Sequence, residues 1–233
     1  MSPAPCDVPP APESLGNVHL VGVGGAGMST VAALLAARGV PVSGSDARES
    51  PVLETLRRAG VQTQVGHEPA HVLHADTVVV SSAIRADNPE LRAARDGGLR
   101  VLHRSEALAT LMRGRRAVAV AGAHGKTTTS AMTAVLLGEV GLEPSYAIGG
   151  TVLRASGATD AVDAGGDAVG GARHGTGEVF VAEADESDGS FLAYRPTVAV
   201  VTNVEPDHLD HYGSAEAFEA AFDRFTERVE PDG

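Results

Sequence analysis

Twice in this chain a valine-rich run breaks into a glycine loop and resumes as an alanine-rich segment of helical length: HLVGVGGAGMSTVAALL from residue 19, and AVAVAGAHGKTTTSAMTAVLL from residue 117. Strand, tight turn and helix form the repeating unit of a parallel sheet wound with helices, so each run nominates an α/β unit of its own. The rest of the chain keeps the same alternation. Strands are expected at 18–23, 41–45, 61–65, 77–81 and 99–103, with helices at 28–38, 51–59, 89–96 and 106–112. After the basic joint RGRR at 113–116, a second series places strands at 117–121, 179–183 and 198–203 and helices at 126–140 and 214–229. The expected organisation is a flexible tail over 1–16, one unit over 17–112 and a second over 113–233. Between the parts of the second unit, RASGATDAVDAGGDAVGGARHGTG (154–177) is too rich in glycine and small residues to pack much, and reads as a mobile surface loop.

Composition narrows what these units can bind. The 233 residues are 43% hydrophobic and 3% aromatic with no Trp, so the core must be built mainly from Val, Leu and Ala. A net charge of -12 repels a nucleic-acid backbone or an anionic membrane surface, and neither is expected as a partner. Cys6, the single cysteine, cannot form an internal disulfide, which fits a reducing compartment. The leader MSPAPCDVPPAPESLG has neither a basic nor an apolar stretch, and no apolar run reaches the roughly 18 residues of a membrane span. A cytoplasmic protein is expected.

In the first loop, Gly22, Gly24 and Gly27 form G-x-G-x-x-G between a strand and a helix, the context of the dinucleotide fingerprint of Rossmann-like folds. Glycines there tighten the turn and let backbone N–H groups approach a diphosphate at the helix N-terminus. Asp46, at the end of the next strand, is placed to meet a ribose hydroxyl. A nicotinamide dinucleotide, another nucleotide diphosphate or a merely tight turn all remain open on this motif.

The second loop holds the only lysine among the 18 Lys and Arg residues. Gly122-Ala123-His124-Gly125-Lys126-Thr127-Thr128 is a shortened P-loop, because Val120 stands where G-x-x-x-x-G-K-[ST] needs its first glycine. Lys126 can reach phosphate oxygens and Thr127 can offer a hydroxyl to Mg²⁺. A compact ammonium on a flexible stem can follow a moving phosphoryl group, whereas a planar guanidinium cannot. Downstream, FVAEADESDGS (180–190) and VTNVEPDHLDH (201–211) put acids and histidines at strand ends, where the ligand crevice of an open sheet lies. Glu183 closes a hydrophobic strand and is the acid expected to hold metal. Asp188 and Asp210 are expected as solvated strand ends, and His67, His71 and His74 as surface or capping residues. Zinc at Asp207-His208-Leu209-Asp210-His211 would lack a completing pair.

Taken together, VGVGGAGMS, SGSD (43–46), SSAIRADNPE (81–90), HRSE (103–106), GAHGKTTT, EADESD and DHLDHYGS resemble the Mur ligases in matching order over about residues 17 to 230. The resemblance implies an ATP- and Mg²⁺-dependent carboxylate–amine ligase of peptidoglycan synthesis. Its substrates would be UDP-N-acetylmuramate and L-alanine, and the carboxylate would be activated as an acyl phosphate. It gives a UDP-sugar-binding Rossmann-like domain over 17–112 and the first part of a P-loop-type ATP-binding domain over 113–233. The UDP-sugar would meet Gly22, Gly24, Gly25, Ala26, Gly27, Met28, Ser45, Asp46, Ser81, Ser82, Arg85 and Arg104. ATP would meet Gly122, Ala123, His124, Gly125, Lys126, Thr127 and Thr128. Lys126, Glu183 and His208 would be catalytic, and Thr127, Glu183 and His208 would hold Mg²⁺.

The sequence departs from the family at Ala123, where threonine is usual, and in the length of the 154–177 loop. It also stops before the remaining central strands and the C-terminal domain, so the front part of a longer ligase is expected. The alternatives are a non-catalytic UDP-sugar or nucleotide-binding module and, more remotely, an NAD-dependent oxidoreductase.

Overall fold

The computed structural model describes residues 9–152, 171–231 and 233. In chain order the elements are β1 (Val18–Val21), α1 (Ala26–Ala37), β2 (Val42–Asp46), α2 (Pro51–Arg58), β3 (Gln62–Val65), β4 (Thr77–Val80), α3 (Pro89–Asp96), β5 (Arg100–His103) and α4 (Arg104–Met112). There follow β6 (Arg116–Ala121), α5 (Lys126–Glu139), β7 (Ser145–Ala147), β8 (Ala172–Arg173), β9 (Val179–Glu183), β10 (Val198–Val201), α6 (Leu209–Tyr212) and α7 (Ala215–Thr226). Short 3₁₀ turns cover Pro12–Leu15, Pro69–Val72 and Ser190–Ala193.

The strands form two five-stranded sheets, ordered β3-β2-β1-β4-β5 and β10-β6-β9-β7-β8. Every pairing in the first is parallel, with Val18 opposite Val42 on one side and Thr77 on the other. The second is parallel except where β7 meets β8. The valine runs explain the central positions: β1 is buried along its whole length, as a strand covered on both faces requires. In both sheets the glycine loop leaves a central strand, β1 or β6, at its carboxyl end.

Helix α1 is buried from Met28 to Leu35, because it packs against α4 and β8 as well as its own sheet. One apolar cluster accordingly continues from Leu15 and Val18 through α1 and α4 to Phe191, Phe222 and Phe225. The scarce aromatics are concentrated there. Phe191 lies 5.0 Å from Phe225 and 5.4 Å from Phe222, so α7 and the 190–193 turn close with rings where the rest of the core uses aliphatics.

Local chemistry sets the element ends. Ser50 and Ser214 accept from backbone amides as N-caps of α2 and α7, and Asn88 does so for α3. At α4 the Glu106 carboxylate accepts from His103 N at 2.7 Å while His103 Nδ1 accepts from Ser105 N. That reciprocal cap starts the helix at Arg104, ahead of the expected 106, and sets Arg104 on its first turn.

Three expectations need correction. Residues 12–15 of the supposed tail are a packed turn: Leu15 is buried, and its carbonyl accepts from Thr77 Oγ1 at 2.7 Å. The expected loop at 154–177 lies outside the described residues up to 170. From 171 onward it is tightly packed, forming β8. A Cβ on Gly171 would sit 1.9 Å from Ile148 O, and one on Gly177 equally close to Leu142 O, so these glycines serve close backbone approach. β7 and β8 were not expected as strands. No helix among the described residues is long and apolar enough to cross a membrane.

Candidate functional site

The first glycine loop is held from beneath by the end of β2. Gly22 N and Val23 N both donate to Ser45 O, at 2.8 and 2.9 Å, and Gly24 N donates to Asp46 Oδ2 at 2.9 Å. Gly22 has φ 77°, a conformation that other residues rarely adopt. Gly27 has a different reason to lack a side chain, since a Cβ there would lie 2.5 Å from Arg104 Nη1. Gly25 precedes α1 with no side chain capping it, so no capping side chain satisfies the first-turn amides at Ala26, Gly27 and Met28, the kind of helix start that suits an anion. The Met28 side chain itself is in the core and can contribute only backbone.

The second loop is held from beside by β10. Thr202 Oγ1 and Asn203 Nδ2 donate to His124 O at 2.6 and 2.9 Å, and His124 N donates to Asn203 Oδ1 at 3.1 Å. Gly122 has φ 134° and no space, because a Cβ would lie 2.1 Å from Thr202 Oγ1. Gly125, left-handed at φ 82°, turns the chain into α5, again without a side-chain cap. Lys126 Nζ donates to Gly122 O at 2.7 Å, to Ala123 O at 3.3 Å and to Glu186 Oε1 at 3.0 Å, which uses two of its protons within the loop and the third on the acid segment. Thr127 Oγ1 donates to Glu183 Oε1 at 2.9 Å, and the other oxygen of Glu183 accepts from Gly149 N at 2.7 Å. The Ala123 methyl enters none of these bonds; the loop uses that residue through its carbonyl.

Residues 183–188, EADESD, connect the two units, since their acids point alternately to one and the other. Glu183 meets Thr127, and Asp185 accepts from Arg104 Nη2 at 3.3 Å beside Gly27. Glu186 meets Lys126, and Asp188 accepts from Ser82 Oγ at 2.7 Å. Glu186 is fully buried, with both oxygens within 3.0 Å of the ammonium and its carbonyl accepting from the Tyr212 hydroxyl. Burial beside Glu186 pushes the Tyr212 phenol up to about 12, so it stays a donor. Burial alone would raise Asp188, but hydrogen bonds from Ser190 and Ser82 hold it below the ordinary carboxylate range. Burial lowers the neighbouring His103 imidazole.

Of the candidate residues, Lys126, Thr127 and Glu183 converge with Gly122 and Gly125. His208 joins them through Glu186, its Nε2 lying 3.9 Å from Glu186 Oε1, and it caps α6 in a left-handed conformation at φ 51°. Ser45, Asp46 and Arg104 converge on the first loop. Ser82 bridges to Asp188, whereas Arg85 pairs with Asp87 and projects into solvent with 84% of its side chain exposed. His124 and Thr128 are exposed at the loop surface, and Ser81 accepts from Ile84 N through its carbonyl. Asp188 is not the solvated strand end expected of it. His67 and His71 face inward, though His71 also belongs to the cap of the 69–72 turn. Glu186, Asp185, Thr202 and Asn203 were not singled out as site residues. Their places in the two acid-bearing segments, just after Glu183 and ahead of His208, were the sequence signal for them.

Among the described residues no group of three or more His, Cys, Asp or Glu is arranged to hold a metal ion. A divalent cation at Thr127 and Glu183 would therefore complete its shell with oxygens from outside the chain, as Mg²⁺ on a nucleotide phosphate does. The donor set fits that: a hydroxyl and a carboxylate side by side, at a helix start whose cradle has no room for a Cβ.

Two α/β units, each with a glycine loop running from an interior strand into a helix, define the class: a tandem α/β protein of the doubly wound kind. Two family descriptions match, the Mur ligase family catalytic domain over residues 17–116 and the Mur ligase middle domain over residues 120–233. The chain belongs to the Mur ligase family. It is 64% identical over 222 residues to a UDP-N-acetylmuramate–L-alanine ligase of Kineococcus radiotolerans, covering 94% of this chain and 44% of that protein. It is 56% identical to the enzyme of that name from Paenarthrobacter aurescens, covering 95% of this chain and 46% of that protein. Among solved structures, UDP-N-acetylmuramate-alanine ligase MurC from Thermotoga maritima superposes with a TM-score of 0.78 at 33% identity, covering 91% of this chain and 47% of that one. A UDP-N-acetylmuramate:L-alanyl-gamma-D-glutamyl-meso-diaminopimelate ligase from Neisseria meningitides gives 0.78 at 28% identity, covering 94% and 70%. The chain spans a little under half the length of the curated relatives it matches.

Proposed function

We propose that this chain is the nucleotide-sugar and ATP-binding part of a ligase that joins L-alanine to UDP-N-acetylmuramate in the cytoplasm. The observation that carries the reading is the alternating contact of residues 183–188 with the second glycine loop and with Arg104 and Ser82 of the first unit. A nucleotide-binding module with one ligand has no use for such a bridge, and a nicotinamide enzyme has none for Lys126 paired with a buried acid. The relatives from Kineococcus, Paenarthrobacter and Thermotoga are named as ligases of this substrate pair.

In this reading the first-turn amides of Ala26 to Met28 hold the diphosphate of the UDP-sugar, since those of Gly22 to Gly25 are already bonded within the protein, with Asp46 beside the ribose and Arg104 beside the diphosphate. Ser82 stays near the sugar through its bond to Asp188. The second loop takes the ATP phosphates on its amides and on Lys126, and Thr127, Glu183 and His208 are the residues that would hold Mg²⁺, which would offset phosphate charge. ATP supplies the phosphoryl group: the muramate carboxylate attacks the γ-phosphorus, ADP leaves, and the alanine amine then displaces phosphate from the acyl phosphate to form the amide. Both reactants of the first step are anions, so cations must offset their repulsion before the carboxylate can approach. Lys126 serves that end by exchanging Glu186 for phosphate.

Equilibrium titration with UDP-N-acetylmuramate, ATP and NAD tests the reading. Saturable binding of the first two is expected, and tight NAD binding without UDP-sugar binding would overturn it. Turnover is expected of the full-length ligase rather than of this chain alone.

A further inference from the structure

Behind the first loop lies a buried polar cluster that neither loop uses. Its centre is Glu90, the last residue of SSAIRADNPE and fully buried in the first turn of α3. Ser45 Oγ donates to Glu90 Oε2 at 2.6 Å, and His67 Nδ1 lies 2.8 Å from the same oxygen. His71 Nδ1 lies 2.5 Å from Oε1, with His19 Nε2 at 3.7 Å from it. Burial alone would push this carboxyl up. Donors from His19, Ser45, His67 and His71 together hold it down to about 2, so it is ionised at neutral pH. An ionised carboxylate only accepts, and so each Nδ1 facing it carries a proton. Glu68 N lies 3.4 Å from His71 Nδ1 and cannot donate to it while that nitrogen carries its proton toward Glu90.

What Glu90 holds is the floor of the first loop. The Ser45 carbonyl receives Gly22 N and Val23 N, and the next residue, Asp46, receives Gly24 N on its side chain and Gly66 N on its carbonyl at 2.8 Å. Gly66 in turn precedes His67. The ends of β2 and β3 are thus tied to one carboxylate, and three consecutive loop amides are tied to the end of β2.

We propose that Glu90 is a positioning residue for nucleotide-diphosphate binding: through the Ser45 hydroxyl and the His67 ring it fixes the strand ends that set the loop amides. The inference rests on the assignment of the first loop to a UDP-sugar. A buried charge is a poor choice for stability alone, since an apolar side chain of like volume serves as well or better. It is a good choice for orientation, since its oxygens specify which hydroxyl and which ring nitrogens they accept from.

The test is titration of this chain with UDP, with ATP as the control in the same molecule. Glu90→Gln is expected to weaken UDP binding roughly tenfold, the scale of one well-placed hydrogen bond to a charged group, and to leave ATP affinity within about twofold. Ser45→Ala, which removes the link and keeps the acid, is expected to weaken UDP similarly, and the double variant no further. The ¹⁵N resonances of His67 are expected to report a protonated Nδ1 in the parent and a change in Glu90→Gln. Unchanged UDP affinity in both single variants would overturn the proposal, as would a parallel loss of UDP and ATP binding in Ser45→Ala. Failure of the unsubstituted chain to bind UDP, with ATP bound, would instead remove the first-loop assignment, and the role of Glu90 with it.

Discussion

The two glycine loops begin alike, on a central strand ahead of an uncapped helix, yet they are furnished differently. The first is lined by backbone amides, held by Ser45 and Asp46, with a single guanidinium alongside. The second adds an ammonium bonded to one carboxylate and a hydroxyl bonded to another. Fixed dipoles suffice for an anion whose charge does not change while it is bound. An anion that gives up a phosphoryl group needs mobile cations and ligands for metal, because its charge distribution moves during the reaction.

That contrast is open to experiment, and the largest effect is expected at Lys126. In the full-length ligase, Lys126→Arg should lower phosphate release by about 10³-fold, since a planar fork cannot replace an ammonium seated against two loop carbonyls and Glu186. A phosphate-release assay that found near-normal turnover would remove the distinction between the loops.

The glycines should respond unequally to the same change. Gly122→Ala meets Thr202 and the Asn203 backbone at a positive φ, and should lose about 3 kcal/mol of stability. Gly27→Ala meets only the end of the flexible Arg104 side chain, and should lose about 1 kcal/mol while weakening UDP binding. Urea denaturation of the two variants decides this, and equal losses would contradict the packing described.

A third effect belongs to the first loop's foundation. The folded-state pKa of Glu90 is depressed from 4.5 to about 2, so its contribution is complete above about pH 4.5 and is lost as pH falls toward 2. A shift of that size is worth about 3 kcal/mol at most. Unfolding midpoints measured across that window should converge between the parent chain and Glu90→Gln as pH falls, and a constant gap would show the carboxylate is not ionised. The smallest effect is expected at Asp188→Asn. It keeps one acceptor for two donors, Ser82 and Ser190, and should cost about 1 kcal/mol by thermal melting.

Much of the scaffold could be read from residue order, because valine runs, glycine loops and alanine-rich helices are local signals. β7 and β8 could not: they are three and two residues long and exist through pairing with each other and with β9. At the site, Lys126, Thr127 and Glu183 were legible from their places in a loop and at a strand end. The partners of Asp185, Glu186 and Asp188 were not, since Arg104, Lys126 and Ser82 lie 60 to 106 positions away. Glu90 was hidden for the same reason, its histidines approaching from β1 and from the far side of β3. His67 and His71 read as surface residues because nothing nearby in sequence betrays a buried acid.

The acids at 183, 185, 186 and 188 face their units by count as much as by charge. Removing any one breaks only that acid's own bonds, whereas inserting or deleting a single residue between Glu183 and Asp188 would shift every later acid off its partner. Length, rather than composition, is therefore what this segment cannot vary, and a one-codon insertion there should uncouple both glycine loops at once while leaving the two sheets intact.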